Sequence, residues 1–195
     1  MRTILVSPAF VFMLAPLAVS EELIPLKPNG NAAAITPVYQ TIDEAIAKGD
    51  LADVRRHLIV NPRCLNQGAG ENSHPPIEQA VQRNKQEIAL FLLTSGANPN
   101  TSDASKRTPL HHAAAKNQLA TAKALLDGGA DPMTLSQLGG TALHEVAASG
   151  GKEIILLLLE NKVDPTVKSK EGATALDIAK KYKNQSAVNV PSELK

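Results

Sequence analysis

The feature that most constrains this chain is a step of 33 residues. Asn98-Pro99, Asp131-Pro132 and Asp164-Pro165 fall at that interval, and so do Thr108-Pro109-Leu110-His111, Thr141-Ala142-Leu143-His144 and Thr174-Ala175-Leu176-Asp177. A fixed period of this length marks a stack of supersecondary units, each too small to bury its own apolar face. Neighbouring units must complete one another's core, so the expected fold is an elongated repeat array.

Within a unit the residues predict two helices. Thr108 caps the first, and Pro109 stands in its opening turn, where a missing N–H costs nothing. Leu110, Ala113 and Ala114 form its inward stripe; Asn117 turns the chain into an outer helix over 119–127, which Gly128-Gly129 ends. The next unit repeats the pattern over 141–149 and 152–160. Its apolar run Ile154 to Leu159 is read as helix because the period requires one there. Pro75-Pro76-Ile77 opens an earlier unit, with Glu78 at the place of the His. The first unit, 42–48 and 51–59, lies 35 residues before the second, and its helices are more polar, as suits a terminal cap. The last turns polar after Ala179, and Pro191 is expected to cut its outer helix short. The units fall near 42–73, 74–106, 107–139, 140–172 and 173–190, with a tail at 191–195.

Over residues 42 to about 190 the period and the Thr-Pro-Leu-His element resemble those of ankyrin-repeat proteins. The resemblance implies an all-α solenoid of about five helix–turn–helix units joined by β-hairpin-like loops. It assigns His111 and His144 a structural task, each ring bonding the backbone of a neighbouring loop. It also implies a binding module rather than an enzyme, whose partner is another protein met by the hairpin tips and the exposed side of the inner helices. By register that face carries Arg83, Arg107, Lys116, Leu135, Gln137, Leu138, Ser149, Lys168, Lys170 and Tyr182. Leu135 and Leu138 put apolar side chains on one tip, and the cations surround them: an apolar centre with a charged rim, as in protein-binding patches. Lys106 departs from the pattern. It occupies the turn position held by Gly139 and Gly172 in later units, so either the turn changes shape or a lysine adopts a left-handed conformation.

Residues 1–20 read as a cleaved signal peptide, with an uncleaved anchor as the alternative: Arg2, an apolar stretch from Ile4 to Val19, and small residues at Ala18 and Ser20. Residues 21–41, rich in Pro, read as an extended linker. With the resemblance, these segments point to an exported bacterial protein, periplasmic or secreted, without stable membrane insertion once the leader is removed. Removing the leader takes away Arg2 and no acid, leaving nineteen residues of each sign. Neutral bulk charge and three Phe and two Tyr in the whole chain give no footing for nucleic acid.

Chemistry-bearing motifs are sparse. The chain has no nucleophile elbow, metalloprotease helix, phosphate loop or Cys pair, and its single Cys64 reads as a small core hydrophobe. His111, His112, His144 and Glu145 invite a metal site, but the repeat register favours structural roles, with His112 and Glu145 facing one another across adjacent units. No metal or cofactor is expected. A second surface, Leu90 and Leu156 on the outer helices, offers a route to dimers, although a monomer is expected. An inhibitor or immunity protein directed at a toxic or degradative enzyme, and an effector acting in a host cell, are the rival functions.

Overall fold

A computed structural model describes residues 35–67 and 74–193. The expected leader, residues 21–34 of the linker, and residues 194–195 of the tail lie outside the described residues. Among the described residues ten α-helices form five antiparallel pairs: α1 (Ile42–Lys48) with α2 (Leu51–Val60), α3 (Pro76–Gln82) with α4 (Gln86–Thr94), α5 (Pro109–Ala115) with α6 (Leu119–Asp127), α7 (Ala142–Ser149) with α8 (Lys152–Glu160), and α9 (Ala175–Lys181) with α10 (Gln185–Glu193). Among the described residues there is no β-strand, and no helix is long and apolar enough to cross a membrane. The array is an all-α solenoid.

The odd-numbered helices form an inner layer, α1 on α3 on α5 on α7 on α9, and the even-numbered helices an outer one. The core runs between the layers and repeats with the chain. Ile77, Leu110 and Leu143 line its inner side; Leu92, Leu125 and Leu158 seal the outer side with no exposed surface. Small residues at Ala80, Ala113, Ala114 and Ala147 let the inner helices approach closely. Each turn between inner and outer helix places one residue in the left-handed region, at Gly49, Asn84, Asn117, Gly150 and Lys183. That kink reverses the chain within three residues, and Gly and Asn enter it most easily.

Two terminal details differ from the sequence expectation. Residues 38 and 39 are not a free linker: Asp53 Oδ1 and Oδ2 accept hydrogen bonds from the amides of Val38 (2.6 Å) and Tyr39 (3.1 Å), and Tyr39 packs on the core. At the other end α10 continues through Pro191 to Glu193. The proline forfeits one backbone hydrogen bond close to the end of the helix, where little remains to be broken. The extra residues of the first unit are partly taken up by a 3-10 turn, Pro62–Leu65, which carries Cys64.

Candidate functional site

The loops between units are hairpin-like, closed by one repeating bond. The amides of Asp103, Ser136 and Ser169 donate to the carbonyls of Arg107, Gly140 and Ala173, at 2.9–3.0 Å. Successive tips are tied as well: Gln137 N–H donates to Ser105 O (2.7 Å) and Lys170 N–H to Leu138 O (2.9 Å). The tips from the second unit onward therefore form a continuous backbone ladder. Lys106 keeps the shared turn shape with φ 57°, beside 76° at Gly139 and 78° at Gly172. A side chain in the left-handed region is the outcome here, not an altered loop.

The His of each element joins this ladder to the helices. His111 Nδ1 accepts from Thr108 N–H (3.1 Å), which leaves the proton on Nε2 to be donated to Gly140 O (3.1 Å) in the following loop. One ring thus caps its own helix and holds the next tip. Burial drives its pKa down to about 4, against the pull of the Gly140 carbonyl, so it is neutral at pH 7. His144 repeats the bond to Thr141 N–H (3.1 Å); its Nε2 is buried without a hydrogen-bond partner, though the carbonyls of Ala173 and Val167 are close enough to oppose the lowering of its pKa by burial. In the last unit Asp177 does the capping alone, accepting from Thr174 N–H (3.0 Å) and Oγ1 (2.7 Å).

Of the residues placed by register on the partner face, Arg83, Lys116, Leu135, Gln137, Leu138, Ser149, Lys168, Lys170 and Tyr182 are exposed. Leu138 is 71% exposed and Leu135 48%, so neither is consumed by packing on an adjacent tip. Arg83, Lys116, Ser149 and Tyr182 occupy one register position and form a column at the ends of the inner helices. Arg107 is different: half-buried, its Nη2 lies 3.3 Å from Glu145 Oε2, across the seam between the third and fourth units. That contact overturns the expected His112–Glu145 pair. His112 Nε2 instead lies 3.1 Å from Asp103 Oδ2, because its ring turns back toward the preceding tip. Leu90 and Leu156 are half-buried, and Leu156 packs against the core.

The model of ankyrin repeats (3 copies) matches residues 42–136 and 121–190. The chain belongs to the ankyrin-repeat family. No curated protein matches it significantly. Ankyrin repeats are protein-binding modules and are generally not catalysts. An apolar cleft between the last two units of this ankyrin stack, lined by Leu143, Ile155, Leu159, Pro165 and Leu176, has no converging polar groups. Cys64 is far from an activated thiol: burial pushes its pKa up and the charge of Asp43 adds to the effect.

Two features of the ankyrin stack escaped sequence reasoning. The first is a set of side chains that cap the preceding inner helix. Gln118 Nε2 donates to Val81 O (3.0 Å), Ser149 Oγ to Ala114 O (3.2 Å) and Asn184 Nδ2 to Ala147 O (2.8 Å). These three carbonyls occupy one register position, so the same acceptor near the end of the inner helix takes a side-chain donor at each of these three seams. The 33-residue step relates Gln118 to Asn184 and could have shown the pair, but Ser149 sits off that register.

The second is a buried polar cluster at the seam of the second and third units. Glu78, fully buried, receives Gln82 Nε2 (2.9 Å) and His74 Nδ1 (3.0 Å) at Oε1, while its Oε2 has no partner. Burial pushes the Glu78 carboxyl above its ordinary range; His74 opposes this and the Asp103 charge reinforces it. Asp103 Oδ1 accepts from the amides of Ser105 (2.8 Å) and Arg107 (2.9 Å). Burial raises its pKa, but these amides and His112 outweigh that and hold the carboxyl low. By register Glu78 stands in for the repeat His, and nothing in the sequence singled out Asp103.

Proposed function

We propose that this ankyrin-repeat protein is a non-enzymatic binding module exported to the periplasm, which holds a protein partner on its hairpin tips and the exposed side of its inner helices. The observation that carries the site is the exposure of Leu138 and Leu135 on the tip between the third and fourth units. Exposed apolar side chains on a backbone-locked loop lose little entropy when covered, so their burial in an interface is favourable. Lys168 and Lys170 on the next tip, with Lys116 and Arg83 on the inner helices, supply a charged rim that favours a partner with an acidic border. Arg107 is excluded from the rim by its pairing with Glu145. Export is supported by the leader-like residues 1–20.

The test has two arms. Affinity capture from periplasm with the wild-type chain as bait should recover a partner that is lost with Leu135→Asp/Leu138→Asp. Equal recovery by both baits would place the binding surface elsewhere. Fractionation of cells expressing the full chain should find it in the periplasm with residues 1–20 removed; retention of the uncleaved chain in the cytoplasm would defeat the export reading.

A further inference from the structure

We propose that Glu78, Asp103 and His112 form a binding site for one divalent transition-metal ion of the zinc class, buried at the seam between the second and third ankyrin units. Glu78 comes from α3, His112 from α5 and Asp103 from the tip between them. A ligating atom from each lies within 4.8 Å of the other two. The edge from His112 Nε2 to Asp103 Oδ2 is 3.1 Å, close to the separation of about 3.3 Å between ligands that hold zinc at about 2.0–2.1 Å in a tetrahedron. One imidazole and two carboxylates are a borderline donor set that suits Zn²⁺ better than Mg²⁺ or Ca²⁺.

Two independent features mark this site as incompletely satisfied by the protein's own hydrogen bonds. Glu78 Oε2 is fully buried without a partner, although buried carboxylate oxygens are costly to leave unmet. His112 Nε2 is also frustrated. It faces a donor, Gln82 Nε2 at 3.2 Å, and an acceptor, Asp103 Oδ2 at 3.1 Å, and one nitrogen in one tautomer satisfies only one of them. The Gln82 amide is not resolved by a simple flip, because the same Nε2 donates to Glu78 Oε1. A cation resolves both problems. It takes the His112 lone pair, neutralises Asp103 Oδ2 and gives Glu78 Oε2 its missing partner. The nearby Arg107 guanidinium is paired with Glu145.

The cluster is particular to one seam. The repeat register replaces Glu78, Asp103 and His112 by His111, Ser136 and Glu145 at the next seam, and by His144, Ser169 and Ile178 at the one after. The first set alone puts three ligating side chains in the three places, so the site is not a by-product of the repeat architecture.

The test uses the full chain without an affinity tag, stripped with EDTA and titrated with ZnCl₂ by calorimetry. One Zn²⁺ per chain and a raised melting temperature are expected, and Co²⁺ should give the visible absorption of a low-coordinate site. Glu78→Gln and Asp103→Asn should each weaken Zn²⁺ binding by more than about 100-fold, since losing a direct ligand costs at least as much as losing an outer-shell partner. Asp103→Asn retains the oxygen that accepts from Ser105 and Arg107, so the tip stays closed and loss of binding there is not loss of fold. His57→Gln, at the separate His57–Asp53 contact of 3.5 Å, should leave binding unchanged. Absence of stoichiometric binding, or binding that survives both cluster variants, overturns the proposal.

Discussion

Asn117 Oδ1 fills the space that a side chain at Gly151 would need. A Cβ built on Gly151 overlaps that oxygen and lies 3.1 Å from Val146 Cγ2. The two residues sit on successive inner-to-outer turns, and their contact explains a break in the repeat. Gln118 and Asn184, which share the register of Gly151, each reach back to cap the preceding inner helix. Gly151 has no side chain to do so, and Ser149 bonds the Ala114 carbonyl in its place. Gly151→Ala is expected to lower stability by about 1–3 kcal/mol, the usual cost of overpacking a tight contact. Urea denaturation would measure it. The double variant Asn117→Gly/Gly151→Ala should recover part of the loss, because the obstructing oxygen is then gone; two additive losses would show that the contact does not limit this position.

Acid sensitivity should begin above the ordinary carboxylate range. His144 is buried, and burial lowers its pKa from 6.5 despite the opposing carbonyls of Ala173 and Val167. The folded state therefore takes up the proton less readily than the unfolded chain. As pH falls below 6.5 the unfolded state is stabilised first, and the loss ends only when the folded ring protonates too. His111, held at about 4, adds a loss of the same sign. Each such ring contributes at most about 1.4 kcal/mol per pH unit. Denaturation midpoints at pH 7.5, 6.0 and 5.0 should decline for the wild type, and decline less steeply for His144→Asn. Parallel profiles would mean that the slope belongs to other groups.

The sequence was most informative where the repeat is most regular. Helices α6 and α8 lie where the register placed them, at Leu119–Asp127 and Lys152–Glu160, because Leu125 and Leu158 must face the same side of consecutive units. The run from Ile154 to Leu159 is helical for that reason, although local composition alone would suit a strand. On the hairpin tips, the exposure of Leu135 and Leu138 was legible because tips project from the stack whatever their sequence. Side-chain pairing was not legible. Equivalent register suggested that His112 meets Glu145, but rings and carboxylates choose among several neighbours at a seam, and Arg107 and Asp103 were closer. Asp103 illustrates the limit: its importance comes from two amides, one ring and a buried carboxylate that only the closed tip brings together.

Thr121 replaces a hydrophobe in the outer-helix core. Its register partners are Ile88 and Ile154, both in the core, and Thr121 is itself fully buried with an unpartnered hydroxyl. A buried polar group without a hydrogen bond is a net cost, and Val has nearly the same shape. Thr121→Val is expected to raise stability by about 1 kcal/mol. Leu158→Ala, a buried large-to-small change in the next unit, should instead cost ~2–5 kcal/mol. Thermal melts of the two variants should move in opposite directions, and a destabilised Thr121→Val would mean that the hydroxyl has a partner.

Lys106 adopts a φ of 57° in a turn where its register partners are Gly139 and Gly172. The turn holds its shape because Asp103 grips it: Oδ1 accepts from the amides of Ser105 and Arg107, and Lys106 N–H donates to Asp103 O at 2.9 Å. The left-handed conformation of a residue with a Cβ costs about 1 kcal/mol. Lys106→Gly removes that strain but loosens the unfolded chain, and the second effect offsets part of the first. A gain of up to about 1 kcal/mol is expected. Lys106→Val, branched at Cβ and least tolerant of this region, should lose more than Lys106→Gly gains. If both variants unfold at the wild-type urea midpoint, the tip is not holding strain, and its closure owes nothing to the grip of Asp103.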